Sequence, residues 1–252
     1  MKYKVILKTT GKNKDRVHRC LKIWLRDIDY VCLTDNLTGE FNEISGSKRD
    51  DYYSAEEKTV FFINQVITTT DYDEYDWLAF IDDDAILNTK MFEYVMPYMD
   101  KNCLYGLKMY GSYERAPTTI YPSGGSGYFI SPSLLKGKSL MVDNGWGIED
   151  ASLGRWIEQN NVCFEENVNI EGTLKHLKLN GWFPFSGERA RLNPEHESHS
   201  PLFDSKIIEN IKDHLQKMKE LNSSMTHHYI RGTLLMEYIH GCFKLWTPEN
   251  II

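Results

Sequence analysis

The sequence predicts an α/β fold in which helices flank both faces of a mainly parallel sheet, and three observations carry that expectation. Over residues 1–110, short runs rich in β-branched and aromatic side chains alternate with stretches whose apolar positions recur every three or four residues. The run Trp77-Leu-Ala-Phe-Ile81 is apolar at every position, as befits a central strand covered on both faces. The apolar runs also stop at polar, turn-forming stretches such as Thr9-Thr10-Gly11 and Thr34-Asp35-Asn36.

Taken in order, residues 3–8 form the first strand, and a helix follows on which Val17, Cys20, Leu21, Trp24, Leu25 and Ile28 draw one apolar stripe. Tyr30 to Leu33 is the second strand, and residues 36–53 have the composition of a loop. Ser54 and Glu57 stand at capping-box spacing before a helix carrying Val60, Ile63 and Ile67. The central strand then leads to a helix over 89–99 and a strand over 103–110. Residues 118–135 predict short strands around a glycine-rich turn, 149–159 a helix and 161–177 further strands. Pro184, Pro194 and Pro201 mark 183–203 as loop. Asp204 is placed to cap an amphipathic helix bearing Ile207, Ile208, Ile211, Leu215, Met218 and Leu221, and the tail over 226–252 is expected to pack back on the core as a helix.

A chain of 252 residues can bury one substantial core, and 41% hydrophobic with 26% charged residues is the balance of a folded domain. The formal charge of -7 argues against gripping long nucleic acid, where lysine and arginine on phosphates dominate affinity. The start, MKYKVILKTT, lacks a secretory apolar core, and no run approaches the roughly 18 to 20 residues of a membrane span, so a cytoplasmic protein is expected. Cys20, Cys32, Cys103, Cys163 and Cys242 form no CxxC pair and mostly sit in apolar runs, so no disulfide is expected.

Four groups have chemical potential. Asp82, Asp83 and Asp84 follow the central strand directly, where open α/β sheets bind ligands. Three adjacent carboxylates repel one another unless a cation offsets them, and Mg²⁺ or Mn²⁺ suits such oxygen ligands while accepting nucleotide phosphates. Alternation along an extended chain turns Asp82 and Asp84 one way and Asp83 the other, and Asp84 is the first choice for a direct ligand. The plain alternative is a solvated acidic loop. Second, Tyr121-Pro-Ser-Gly-Gly-Ser-Gly-Tyr128 lets backbone approach a ligand closely, although a simple hairpin turn would read alike. Third, Glu149 and Asp150 precede a helix; either complements its dipole or serves as a general base within reach of an acceptor hydroxyl. Fourth, His196 and His199 lie in a proline-flanked loop, as surface residues or as imidazole ligands completing a carboxylate shell. His227 and His228 read as a solvated helix start.

In their order these signals resemble the Fringe-like β1,3-glycosyltransferases. The resemblance runs through Leu7-Lys8-Thr9-Thr10, Trp24, Thr34-Asp35, Lys58, Trp77 with the Asp triplet, Gly124-Gly125-x-Gly127, Glu149-Asp150-x-x-x-Gly154 and Ser198-His199, from about residue 4 to 204. It implies a single Rossmann-like domain of the GT-A type over 1–252, with a nucleotide-binding half (1–110), an acceptor and catalytic half (111–203) and a helical tail (204–252). It further implies a UDP-sugar donor, Mn²⁺ (or Mg²⁺) on Asp84 and His199 with Asp82 close by, Asp82 and Asp83 beside the nucleotide, and Asp150 as base. Thr9, Thr10, Asp35 and Lys58 would line the nucleotide pocket, and Gly124, Gly125 and Gly127 would pass near donor or acceptor. Glu149 rivals Asp150, and His196 rivals His199. Known relatives are membrane-anchored and disulfide-bonded, so a microbial or viral cytosolic relative is expected, its acceptor a glycan, protein or small molecule. Two other readings stand beside this one: a silent nucleotide-sugar-binding module, and a glycosyltransferase acting on hydroxylated nucleic-acid bases through Lys48, Arg49, Arg189 and Arg191. The overall acidity disfavours the second.

Overall fold

A computed structural model describes residues 1–49, 54–111, 119–140, 149–180, 209, 221–228, 230 and 232–251. The expected strands assemble into one twisted sheet because their apolar residues alternate between two helix-covered faces. Along the chain the main-sheet strands are β1 (Tyr3–Lys8), β2 (Tyr30–Thr34), β3 (Glu43–Ser45) and β4 (Trp77–Asp82). A short β5 (Ile86–Leu87) lies outside that sheet, β6 (Cys103–Gly106) belongs to it, and β7 (Lys108–Gly111) and β8 (Thr119–Pro122) form a separate two-stranded hairpin. β9 (Tyr128–Ile130) and β10 (Cys163–Glu165) complete the sheet, in the spatial order β10-β6-β9-β4-β1-β2-β3. Every neighbouring pair is parallel except those made by β9, which runs against both β4 and β6.

The helices are α1 (Lys14–Cys20), α2 (Ser54–Thr68), α3 (Thr89–Val95), the short α4 (Pro132–Leu135), α5 (Glu149–Gln159) and α6 (Thr233–Lys244). On one face Val5, Leu7, Ala79 and Ile81 pack with Val17 and Cys20 of α1, Met91 and Phe92 of α3, and Met236 and Ile239 of α6. On the other, Ile6, Leu78 and Phe80 pack with Phe62 and Ile63 of α2 and with Leu153 and Trp156 of α5. The period of two in β1 and β4 therefore feeds two cores, and β4 sits in the middle of the sheet as its uniform hydrophobicity predicts.

Several local expectations need correction. Residues 36–53 contain β3, an edge strand too short and polar to show in hydropathy. The strand expected over 103–110 is two, because the chain leaves the sheet at Gly106 and β7 pairs with β8 instead. The first helix passes at Leu21–Leu25 into a π-helical turn. Ser54 is already helical, and Glu57 accepts a hydrogen bond from the Ser47 hydroxyl at 2.6 Å. The tail begins not as a helix but as β14 (Thr226–His227), following β11 (Asn167–Ile170), β12 (Thr173–His176) and β13 (Leu179–Asn180). Cys103 and Cys163 are disulfide-bonded, against the expectation of none: they are directly paired across β6 and β10, a proximity that parallel pairing creates and spacing in the sequence does not reveal. The helix expected from Asp204 and the loop over 183–203 lie outside the described residues, apart from Glu209 and Leu221, each of which is helical. Among the described residues no helix is long and apolar enough to cross a membrane.

Candidate active site

β1 and β4 pair in register to their last residues, Lys8 opposite Asp82, so the two strands end together. Beyond those ends lies a cavity of about 400 Å³. It is lined by Thr9 and Thr10, by Asn13 and Arg16 at the start of α1, by Lys58 and Thr59 of α2, by the Asp triplet, by Met109 and Tyr121 of the hairpin, by Gly124 and Gly125, by Glu149 and Asp150, and by His228. This is where a parallel sheet presents its strand termini and the start of a helix to a ligand.

On the strand wall, Asp82, Asp84 and His228 offer one ligand atom each, all within 4.8 Å of one another. His228 Nε2 stands 3.1 Å from Asp84 Oδ1 and 3.5 Å from Asp82 Oδ2. β14 delivers this histidine by pairing antiparallel with β5, immediately after the triplet, and the Ile230 N–H donates to the Asp84 carbonyl at 2.7 Å. Alternation along the extended chain separates the two histidines. His227 turns into the core, stacks on Phe243 and has its pKa pushed down by burial to about 4, while His228 faces the carboxylates. Two carboxylate oxygens and one imidazole nitrogen are a donor set that fits Mn²⁺ or Mg²⁺ and leaves positions for phosphate oxygens.

Asp83 turns the other way and accepts from the Thr9 hydroxyl at 2.7 Å, from Asn13 at 3.0 Å and from Arg16 at 3.2 Å. Burial pushes the pKa values of Asp82 and Asp83 above the usual carboxylate range, opposed by Lys8 and by Arg16 respectively.

The helix wall carries two adjacent carboxylates in unlike surroundings. Glu149 Oε1 accepts from the Tyr128 hydroxyl at 2.7 Å, from Thr59 at 3.1 Å and from Lys8 at 3.1 Å, and its Oε2 takes Lys8 at 2.9 Å. Lys8 also reaches Asp82 at 3.0 Å. Burial alone would depress the Lys8 ammonium, but Asp82, Glu149 and Asp150 outweigh it and hold its pKa above the ordinary value. Asp150 accepts the Gly124 N–H at 3.0 Å, and burial together with the neighbouring Glu149 pushes its pKa up to about 7.

The remaining expected residues divide. Lys58, lowered in pKa by burial, donates to the Thr9 carbonyl at 2.6 Å at the cavity's edge. Asp35 lies outside the cavity lining and uses Oδ1 to accept the backbone N–H groups of Gly11 and Asn36. Gly127 also lies off the lining and turns the chain at a φ of 80°. His196 and His199 lie outside the described residues. Reasoning from sequence missed His228, Lys8 and Arg16. A lysine closing an apolar strand is a visible signal for Lys8, whereas nothing local marks His228.

No family model and no curated protein matches the chain. Among solved structures it is similar to a glycosyltransferase involved in the glycosylation of the major capsid of PBCV-1, at 12% identity over 54% of this chain and 62% of that one, TM-score 0.34. The chain thus spans less than two thirds of that protein. It is also similar to A197 from STIV, at 13% identity over 70% of this chain and 86% of that one, TM-score 0.35. Neither likeness decides the chemistry, which rests on the side chains of the cavity.

Proposed function

We propose that the chain is a metal-dependent, inverting glycosyltransferase of the Fringe-like GT-A type, moving a sugar from a UDP-sugar to a hydroxyl of a glycan, protein or small molecule. The observation that carries this reading is the pairing, across one cavity, of a two-carboxylate and imidazole cluster with a carboxyl group whose pKa of about 7 suits proton abstraction. Asp82, Asp84 and His228 would hold Mn²⁺ or Mg²⁺, His228 taking the part that the resemblance gives to His199. When bound, the cation supplies positive charge for the diphosphate of the donor and of the departing UDP. Asp150 accepts the proton of the acceptor hydroxyl while that oxygen bonds to the anomeric carbon and the bond from that carbon to the diphosphate oxygen breaks. UDP leaves and the configuration inverts. The Gly124 N–H steadies the Asp150 carboxylate, and Glu149, tied to Lys8, Tyr128 and Thr59, serves as a charged support and not as the base. Arg16 lines the cavity as a further fixed cation.

The test is thermal stabilisation by a panel of UDP-sugars with and without Mn²⁺, followed by UDP release with candidate acceptors. Stabilisation by at least one donor that depends on Mn²⁺, then release, is expected. Failure of every donor to bind would overturn the reading, and binding with no release under any condition would leave a silent binding module in its place.

A further inference from the structure

The turn Gly124-Gly125 touches both walls of the cavity. A Cβ on Gly124 would lie 2.4 Å from Asp150 Oδ1, with Lys8 Nζ at 3.2 Å and Glu149 Oε2 at 3.4 Å. A Cβ on Gly125 would lie 2.1 Å from His228 Cε1 and 2.3 Å from its Nδ1, inside the ring's own volume. The clash falls on one different side chain in each case, and real Cβ atoms do not approach so closely. Backbone conformation does not demand glycine at either position, since neither has positive φ; that requirement falls on Gly127. The space each glycine leaves is filled by a protein group, not by open cavity. At Gly124 the fit is closed further by the N–H donated to Asp150 and by the carbonyl that accepts Lys8 at 3.2 Å.

We infer that Gly124 and Gly125 are two separate positioning residues, Gly124 seating the Asp150 carboxylate and Gly125 seating the His228 ring against Asp84. The family resemblance assigns these glycines to passage near donor or acceptor; the geometry assigns them to the protein's own side chains. The inference rests on the proposed reaction for its kinetic part only, because the contacts themselves are independent of it.

The consequence is a double dissociation. Gly125→Ala pushes the imidazole away from Asp84, and Mn²⁺ affinity falls by about 10- to 100-fold, as when a metal ligand loses its support. Turnover of this variant recovers toward that of the unaltered protein when Mn²⁺ is raised. Gly124→Ala leaves Mn²⁺ affinity within about twofold but lowers turnover at saturating Mn²⁺ and donor by about 10²-fold, since a misplacement near 1 Å suffices for that loss. A purely structural turn would lose both properties together in both variants.

Stability double-mutant cycles keep the test decisive if either variant folds poorly. Gly125→Ala should destabilise the otherwise unaltered protein yet be close to neutral in a His228→Ala background, where the ring it strikes is gone. Gly124→Ala should likewise be relieved by Asp150→Ala and not by His228→Ala. Melting temperatures of the four single and three double variants, with electron paramagnetic resonance titration of Mn²⁺, supply the readout. Equal destabilisation in all backgrounds, or Mn²⁺ affinity lost equally in both glycine variants, overturns the inference. If the unaltered protein binds no Mn²⁺ while the cycles still show the coupling, the metal reading fails and the seating of the side chains stands.

Discussion

The two walls of the cavity both present clustered acids, yet they handle charge differently. On the strand wall each carboxylate is already shared among cationic or ring nitrogen groups: Asp82 with Lys8 and His228, Asp83 with Arg16, Asp84 with His228 and Arg16. On the helix wall Glu149 is saturated by Lys8, Tyr128 and Thr59, whereas Asp150 is raised to a pKa of about 7 by burial and by Glu149. One wall collects positive charge, and the other holds one carboxyl at the edge of ionisation. Adjacency in sequence therefore says little about role; the partners that tertiary structure brings decide it.

The largest effect that sharpens this contrast is on rate. Asp150→Asn should lower UDP release by about 10²- to 10⁴-fold while leaving Mn²⁺-dependent donor binding intact, measured by turnover and by calorimetry. Wild-type turnover in that variant would remove Asp150 from the mechanism.

Its neighbour should behave in the opposite sense. Glu149→Gln is expected to destabilise the fold by about 3 kcal/mol in denaturant titration, because it strips a charged partner from the buried Lys8 ammonium, which keeps Asp82 at 3.0 Å. A stability-neutral Glu149→Gln that loses turnover as Asp150→Asn does would exchange the two roles.

Next comes the strand wall. Saturating Mn²⁺, at about 100 times its dissociation constant, should stabilise the protein by about 2.7 kcal/mol, and Asp84→Ala should remove most of that gain in melting experiments. If Mn²⁺ stabilises Asp84→Ala as much as the unaltered protein, the cation sits elsewhere.

The last contrast concerns pH. The folded pKa of Asp150, about 7, lies above the ordinary value of 3.8, so the neutral acid is favoured in the fold. Its stabilising contribution is complete below about pH 4 and is lost as pH rises through about 7. Metal-free protein should lose stability across that window, and Asp150→Asn should lack this component; a bound cation should move the upper end of the window to lower pH. Parallel melting curves of the two proteins from pH 4 to 8 check it.

Much of the scaffold was legible in advance. The uniform hydrophobicity of Trp77–Ile81 placed the central strand, the polar stop after it placed the acids, and the three- and four-residue spacings located α1 and α2. These readings succeed because element type and buried face depend on local periodicity. Short polar segments escaped for the same reason in reverse: β3 carries its identity in pairing with β2, and β14 in pairing with β5, not in its own hydropathy.

What the sequence by itself determined is the chemistry available at the strand ends: three acids after the central strand, two more opening a helix, and a glycine pair. What only the tertiary structure decided is which of these meet. His228 reaches Asp84 through the pairing of β14 with β5, Cys103 meets Cys163 through the pairing of β6 with β10, and Lys8 bridges two walls because β1 ends level with β4. Hydropathy is written locally along the chain, whereas contact between distant residues is a property of strand order and register, fixed only when the whole sheet is assembled.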